Sequence, residues 1–424
     1  MAATFSRRTL LGGAAGAAAL GAIGAVTAST ATAAGDLRVY VLVVDGCRPD
    51  EAAGEHLSAV RDLAAQGTSF SQAKSITVAE TIPNHVAMMS GVLPERSGVP
   101  ANSVWDPARG EVRDLGEAGD LKTSTILDRL PAELGLTTAS VLSKDYLFGV
   151  FGERASFRWT PEPMLPITNH APDIFTMGAA LDMIDDHDPA LMFVNLGDVD
   201  RFGHADLSGS SLKILRTLAL IDTNLQLERF VDHLKDKGTW ESSVVILLAD
   251  HSMDWSLPLS IINLTGAFDD DPLLADNVTI AQNGGADLLY WTGPEESRAE
   301  AIVHMRQIAE ATEGVLSVHD PAELRLGTNA GDVVAYAKAG WRFTDPSVVS
   351  NPIPGNHGHP ATEEIPFVIS GGHPSVVRGQ VSSAPAHTMD VAPTVASLFG
   401  LSAPEGGWDG QARTEAFQGA LVGS

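Results

Sequence analysis

Three apolar runs in this chain stop abruptly at acidic residues, and no other feature limits the fold as much. VYVLVVDG, LMFVNLGDVD and VVILLADH are unbroken β-type stretches of the sort that are covered on both faces. They predict strands of a mostly parallel sheet with helices on each side, and further strand-like runs fill out the pattern to 37–44, 138–142, 190–196, 243–249 and 365–370. A carboxylate just past such a strand faces the crevice at the strands' carboxyl ends, where open α/β sheets carry their sites.

Amphipathic spacing predicts helices between the strands, over 54–66, 209–236 and 296–312. In 209–236, Leu212, Leu215, Leu218, Ile221, Leu225, Phe230 and Leu234 recur at mostly three- and four-residue intervals, so that stripe is expected to cover the sheet. Lys213, Arg216, Gln226, Arg229 and Lys235 fall elsewhere on the same helix. Between 256 and 350 the text changes to short strands and turns, which reads as an inserted small α+β cap. The core is then 35–255 together with 351–424.

With 44% hydrophobic residues the chain buries a substantial core, and its formal charge of −26 repels long polyanions such as DNA or RNA. Residues 1–34 differ from the rest: an Ala/Gly-rich apolar run follows Arg7 and Arg8 and ends ATAA, the pattern of a cleaved twin-arginine-type signal peptide. Thr27, Ser29, Thr30 and Thr32 break the run and leave it short for a bilayer. Export to the cell envelope or beyond, with no membrane span after cleavage near Ala33, is the expectation. Cys47 is the one cysteine, so no intrachain disulfide is possible, and beside Asp45 it reads as a small buried hydrophobe before it reads as a ligand.

Chemistry-bearing residues gather at these strand ends. DVDRFGH sets Asp200 and His204 four apart, close enough to reach one ion, with Asp198 as the fallback. ADHSMDW sets Asp250 beside His251, and GNHGH offers His357 and His359 in a glycine-rich loop. In AETIPNHVAMMSG, Thr81 stands before Pro83 and a helix, where it reads as a helix cap or as a nucleophile, with free N–H groups facing an arriving phosphate. So many acids at buried strand ends need partners, and Asp45, Thr81, Asp200, His204, Asp250, His251 and His357 together make a ligand set for two divalent ions with a hydroxyl among them. That set points to phosphoryl transfer.

These motifs resemble, over nearly the whole mature chain and in the same order, the nucleotide pyrophosphatase/phosphodiesterase (type I phosphodiesterase) family of the alkaline phosphatase superfamily. The opening Asp-Gly motif is matched by DGCRPD, the T-F-P-N-H motif by TIPNH, and the D-x-x-G-H motif by Asp200 and His204. D-H-G-M is matched by Asp250 and His251, with Ser252 in place of glycine, and the late H-G motif by His357 and Gly358. HTMDVAPTVASLFGL looks like the superfamily's closing helix.

The resemblance implies an alkaline-phosphatase-like three-layer α/β/α sandwich and two divalent ions, usually zinc, though such ligands also admit manganese or iron. It implies one ion on Asp45, Thr81, Asp250 and His251 and a second on Asp200, His204 and His357. Thr81 becomes the nucleophile, and Asn102, with the Ile82 N–H or a neighbour, a holder of phosphate oxygens. His359 stands in reserve for His357. Neither Arg48 nor Arg201 is assigned a phosphate contact, and a neutral asparagine with an apolar pocket favours small phosphodiesters or phosphoanhydrides. The rival within enzymes is phosphonoacetate-hydrolase-like or phosphomonoesterase activity at the same two-metal site. Which group leaves, and the oligomeric state, are not written in the sequence.

Overall fold

A computed structural model describes residues 36–166, 168–206 and 214–419, so the expected leader at 1–34 and Leu212 lie outside the described residues. The strands used below begin with β1 (Arg38–Val44), β2 (Thr68–Lys74), β3 (Thr138–Leu142), β4 (Phe157–Trp159), β5 (Leu191–Leu196) and β6 (Ser243–Leu248). Then come β7 (Val278–Asn283), β8 (Ala286–Trp291), β9 (Val315–His319), β10 (Val333–Ala337), β11 (Phe367–Ser370) and β12 (Gln380–His387). The helices are α1 (Ser58–Ala65), α2 (Thr81–Ser90), α3 (Asp173–His187), α4 (Asp198–Ala205), α5 (Ile214–Lys237), α6 (Arg298–Ala311) and α7 (Val391–Phe399).

An eight-stranded sheet runs in the order β12-β2-β11-β6-β1-β5-β3-β4. β1 pairs in parallel with β5 and β6, β3 in parallel with β5 and β4, and β11 runs against both its neighbours. The mostly parallel sheet expected from the sequence is therefore present, and its five anticipated strands all form. Side chains of β1 alternate between two buried layers. Tyr40 points to Phe230 of α5, at 5.2 Å between ring centroids, while Phe193, paired with Val41, points the other way to His85 of α2 at 5.6 Å. α1, α3 and α5 pack together, as α2 does with α7, which gives helix, sheet and helix layers.

The expected stripe of α5 holds in its second half, where Phe230 and Leu234 are buried, and not in its first. Leu218 is 58% and Leu225 53% exposed, with Leu215 and Ile221 exposed beside them, whereas Leu220, Leu227, Phe230 and Leu234 are buried. Polar anchors set this rotation. Buried Arg216 is drawn inward by both carboxylate oxygens of Glu51, each at 2.7 Å, and Thr223 donates to Asp173 at 2.6 Å. Asn224 accepts the Ala59 N–H at 2.9 Å, so the inward side of the helix's first half is hydrogen-bonded rather than oily.

A second, four-stranded antiparallel sheet, ordered β7-β8-β10-β9, falls inside 256–350. One of its faces, with Leu289, Val333 and Ala335, packs with Ala301 and Met305 of α6. The other, with Leu288, Tyr290, Val334 and Tyr336, joins the main core. Among the described residues no helix is long and apolar enough to cross a membrane.

Candidate functional site

Three neighbouring strands each deliver a carboxylate to one point. Asp45 follows β1, Asp200 lies on α4 just past β5, and Asp250 follows β6, and all three are buried. Each carboxylate has one oxygen tied down. Asp45 Oδ2 accepts from Lys144 Nζ and Asn195 Nδ2, both at 2.8 Å, and Asp200 Oδ2 accepts from the same Lys144 Nζ at 2.8 Å. Asp250 Oδ1 accepts the backbone N–H groups of Gly46 and His251, both at 3.0 Å. The other oxygens, Asp45 Oδ1, Asp200 Oδ1 and Asp250 Oδ2, are buried without a hydrogen-bond partner among the described residues.

Three imidazoles answer them. The Nδ1 atoms of His204, His251 and His357 lie 2.7, 2.8 and 3.0 Å from the backbone oxygens of Gly355, Ser252 and Ala79. With the ring proton held there, each Nε2 is left as a lone pair, the state in which histidine ligates. These nitrogens converge: His357 Nε2 is 3.0 Å from His204 Nε2, and Asp200 Oδ1 is 3.3 Å from His204 Nε2 and 3.8 Å from His357 Nε2. His251 Nε2 lies 3.4 Å from Asp250 Oδ2, 3.8 Å from Asp45 Oδ1 and 3.2 Å from Thr81 Oγ1. Lone pairs facing one another in a buried space repel unless a cation lies between them, and two overlapping sets of donors, Asp45, Asp250 and His251, and Asp200, His251 and His357, lie close enough together to hold a metal ion, with His251 common to both.

The electrostatics follow from this crowding. Burial alone raises the Asp45 and Asp200 carboxyls, but the Lys144 ammonium overrides it and holds Asp45 below the usual range and Asp200 well below. Asp250, which lacks that contact, is pushed up to about 7 by burial and by the charge of Asp45. Burial works to lower Lys144 itself, and Asp200 with Asp45 more than restores it.

Thr81 opens α2 as its first residue, with Glu80 and not Thr81 at the cap. The hydroxyl is thereby free to face His251. Asn84 locks the turn, donating to Glu80 O at 2.9 Å while its own oxygen accepts from Ile76 N at 2.9 Å and Thr388 Oγ1 at 2.8 Å. The Ile82 N–H, expected to face a phosphate, instead donates to Asn102 Oδ1 at 2.8 Å. That bond fixes which way the Asn102 amide is turned and leaves Nδ2 as its free donor.

Other candidates lie elsewhere. His359 is buried against Asp254, with Nε2 3.1 Å from Oδ2, so the reserve role falls to no one. Asp198 pairs with His170 at 2.5 Å, and Cys47 is a buried thiol pushed up by desolvation and outside both ligand groupings. Arg48 is held by Asp50 and by Met253 O. Arg201, however, lines the cleft in front of Thr81, together with Asn102, Tyr146, Asn169, Gln282 and Asn356. The cleft, about 360 Å³, is thus polar, against the apolar pocket argued from the sequence, and Arg201, given no phosphate contact there, stands in its wall.

Lys144, Asn195, His85 and Arg216 were missed at the sequence level. Lys144 had a readable signal, since it ends strand β3 just as aspartates end β1 and β6. Asn195 was an unexplained polar residue inside an apolar run, and His85 closes TIPNH. Arg216 gave no sign: its Nη2 donates to Gly46 O at 2.7 Å and its Nη1 to Val199 O at 2.8 Å, a link that only the fold creates.

The chain is similar to known proteins in sequence and in fold. Bis(5'-adenosyl)-triphosphatase ENPP4 of Bos taurus is 23% identical over 251 residues, 56% of this chain and 52% of that protein, so the chain spans about half the length of this relative. Ectonucleotide pyrophosphatase/phosphodiesterase family member 5 of Homo sapiens is 21% identical over 345 residues, 80% of this chain and 69% of that one. The structure of murine ectonucleotide pyrophosphatase/phosphodiesterase 5 superposes with a TM-score of 0.74 at 17% identity, covering 90% of this chain and 100% of that chain. Phosphonoacetate hydrolase from Sinorhizobium meliloti 1021, in complex with phosphonoformate, superposes with a TM-score of 0.63 at 17% identity over 84% of this chain and 94% of that one. The sequence pattern of the type I phosphodiesterase / nucleotide pyrophosphatase family, a family of hydrolases, matches residues 39–359, and the chain belongs to it, within the alkaline phosphatase superfamily.

Proposed function

We propose that the chain is an exported, metal-dependent phosphodiesterase or nucleotide pyrophosphatase that hydrolyses small phosphodiesters or phosphoanhydrides through a phosphothreonine on Thr81. One observation carries the reading: three orphaned carboxylate oxygens and three imidazole Nε2 atoms converge beside a single threonine hydroxyl. Asp45, Thr81, Asp250 and His251 would hold one ion and Asp200, His204 and His357 the other, with zinc the proposed metal. Bound there, such ions supply charge that lowers the pKa of an attacking hydroxyl and neutralises a leaving oxygen.

The chain's own residues do the rest. Thr81 Oγ1, presented at the helix start, attacks phosphorus in line with the departing oxygen, forming the P–O bond to threonine as the bond to the leaving group breaks. Asn102 Nδ2, oriented by the Ile82 N–H, donates to a nonbridging oxygen and holds the charge that gathers there. Lys144 keeps one oxygen of Asp45 and one of Asp200 out of the ligand set, so each presents a single aimed donor. Hydrolysis of the phosphothreonine by water on the leaving-group side regenerates the hydroxyl. The segment 256–350 serves as a cap in this reading, contributing Gln282, Asn283 and Gly284 to the cleft wall.

Thr81→Ala should cut turnover of bis-p-nitrophenyl phosphate by about 1,000-fold or more while elemental analysis finds the same metal content. Retained turnover would move the nucleophile elsewhere. A second reading, phosphonate or monoester hydrolysis at the same centre, is favoured by Arg201 in the cleft wall. Rates on the diester, p-nitrophenyl phosphate and phosphonoacetate separate the two, and a monoester or phosphonate preferred by more than about tenfold overturns the first.

A further inference from the structure

Arg201 is a cation in the cleft wall whose hydrogen bonds are largely unspent among the described residues. It follows Asp200 on α4, and its guanidinium stacks on Tyr146 with 5.6 Å to the ring centroid. Of its five N–H donors, Nη2 gives one to Tyr146 Oη at 3.2 Å. Nε is buried and has no hydrogen-bond partner among the described residues, the nearest carboxylate oxygen being Asp200 Oδ2 at 3.9 Å, which Lys144 already holds. The other acids lining the cleft are also engaged: Glu80 lies 3.1 Å from His357 Nδ1, and Asp114 accepts from Ser103 Oγ at 2.5 Å. A buried guanidinium Nε–H with no acceptor is costly unless a ligand completes it, and the 22% of the side chain left exposed faces the cleft from which that ligand would come.

We infer that Arg201 is an anion-binding subsite, and that the preferred substrate carries a second acidic group on its leaving portion, which the guanidinium grips. This rests on the phosphodiesterase reading above. The side is fixed by the chain, because Arg201 adjoins Asp200, whose group of donors serves the departing oxygen, whereas the attacking Thr81 belongs with Asp45 and Asp250. The chemistry is fixed by the fork, which matches the paired oxygens of a carboxylate or phosphate. The remaining lining is mostly uncharged amides, Asn169, Gln282, Asn351 and Asn356 among them, which suit a polar leaving group and give little purchase to a greasy one.

The test compares wild type with Arg201→Met and Arg201→Lys on three substrates, with metal content matched by elemental analysis. They are methyl 4-nitrophenyl phosphate, its 3-carboxy-4-nitrophenyl counterpart, and ADP, whose leaving group is phosphate. Arg201→Met should lower kcat/KM on one or both substrates with an acidic leaving portion by about thirtyfold more than on the diester without one, and Arg201→Lys should recover part of the loss. The substrate that loses more identifies carboxylate or phosphate as the source of the charge. An equal loss on all three overturns the inference and makes Arg201 a support for Asp200. If wild type turns over none of them, the phosphodiesterase reading fails by itself. Metal-loaded Thr81→Ala then decides the subsite by calorimetry with inorganic pyrophosphate: binding about tenfold weaker after adding Arg201→Met upholds it, and unchanged affinity overturns it.

Discussion

Lys144 shows how much one unannounced side chain can organise. Fully buried, it bridges the carboxylates of two different ligand groups, and the free oxygens of both are aimed because the bound ones are not available. Lys144→Met removes the bridge with little change of volume. Metal affinity, measured by competition with a chromophoric chelator, should fall about 10- to 100-fold, as it does when the groups orienting metal ligands are lost. An unchanged affinity would make the lysine a mere neutraliser of buried charge. At this scale the sequence was legible wherever chemistry and position coincided. Asp45, Asp250 and His251 sit at strand ends, and their text says so. Asn102 was readable only through the family motif, and its amide orientation only from the Ile82 N–H that the fold brings to it.

At the scale of elements, α5 is the instructive failure. The first half of its hydrophobic stripe, Leu215 to Leu225, faces outward while Phe230 and Leu234 are buried as expected, because the helix is held by Arg216, whose guanidinium ties the loop after β1 to α4 through Gly46 O and Val199 O. Gly203 has no side chain where Arg216 Nη1 passes, so the clamp needs that glycine. Arg216→Met should leave the partly buried Glu51 with the Arg48 N–H as its remaining partner, at a cost of about 1–3 kcal/mol in urea unfolding. By contrast Leu218→Ser should change stability by less than about 0.5 kcal/mol, and Leu227→Ala should cost about 2–5 kcal/mol. The reverse ranking of the two leucines would restore the face read from periodicity. Strands were read more accurately than helix faces for a physical reason. A strand buried on both sides needs only to be apolar, whereas a helix face is chosen by whichever partners are present, and here those partners are polar.

For the whole molecule, the centre couples metal to stability. The buried acids of the site, unneutralised, repel one another, so EDTA should lower the calorimetric melting temperature of the full chain by several degrees, and added zinc should restore it. A melting temperature indifferent to chelation would mean that the donors hold no ion in solution. The architecture itself, a mostly parallel sheet under helices, could be read from five apolar runs, but the polarity of the cleft could not, since its walls are drawn from loops, from α2 and α4 and from β7, which no local pattern relates. The β7–β10 sheet has a last consequence. Leu288, Tyr290, Val334 and Tyr336 sink into the principal core on one side while α6 seals the other, so this wall is masonry and not a door. In the proposed reading, substrate therefore meets a packed wall on this side of the cleft and not a closing lid.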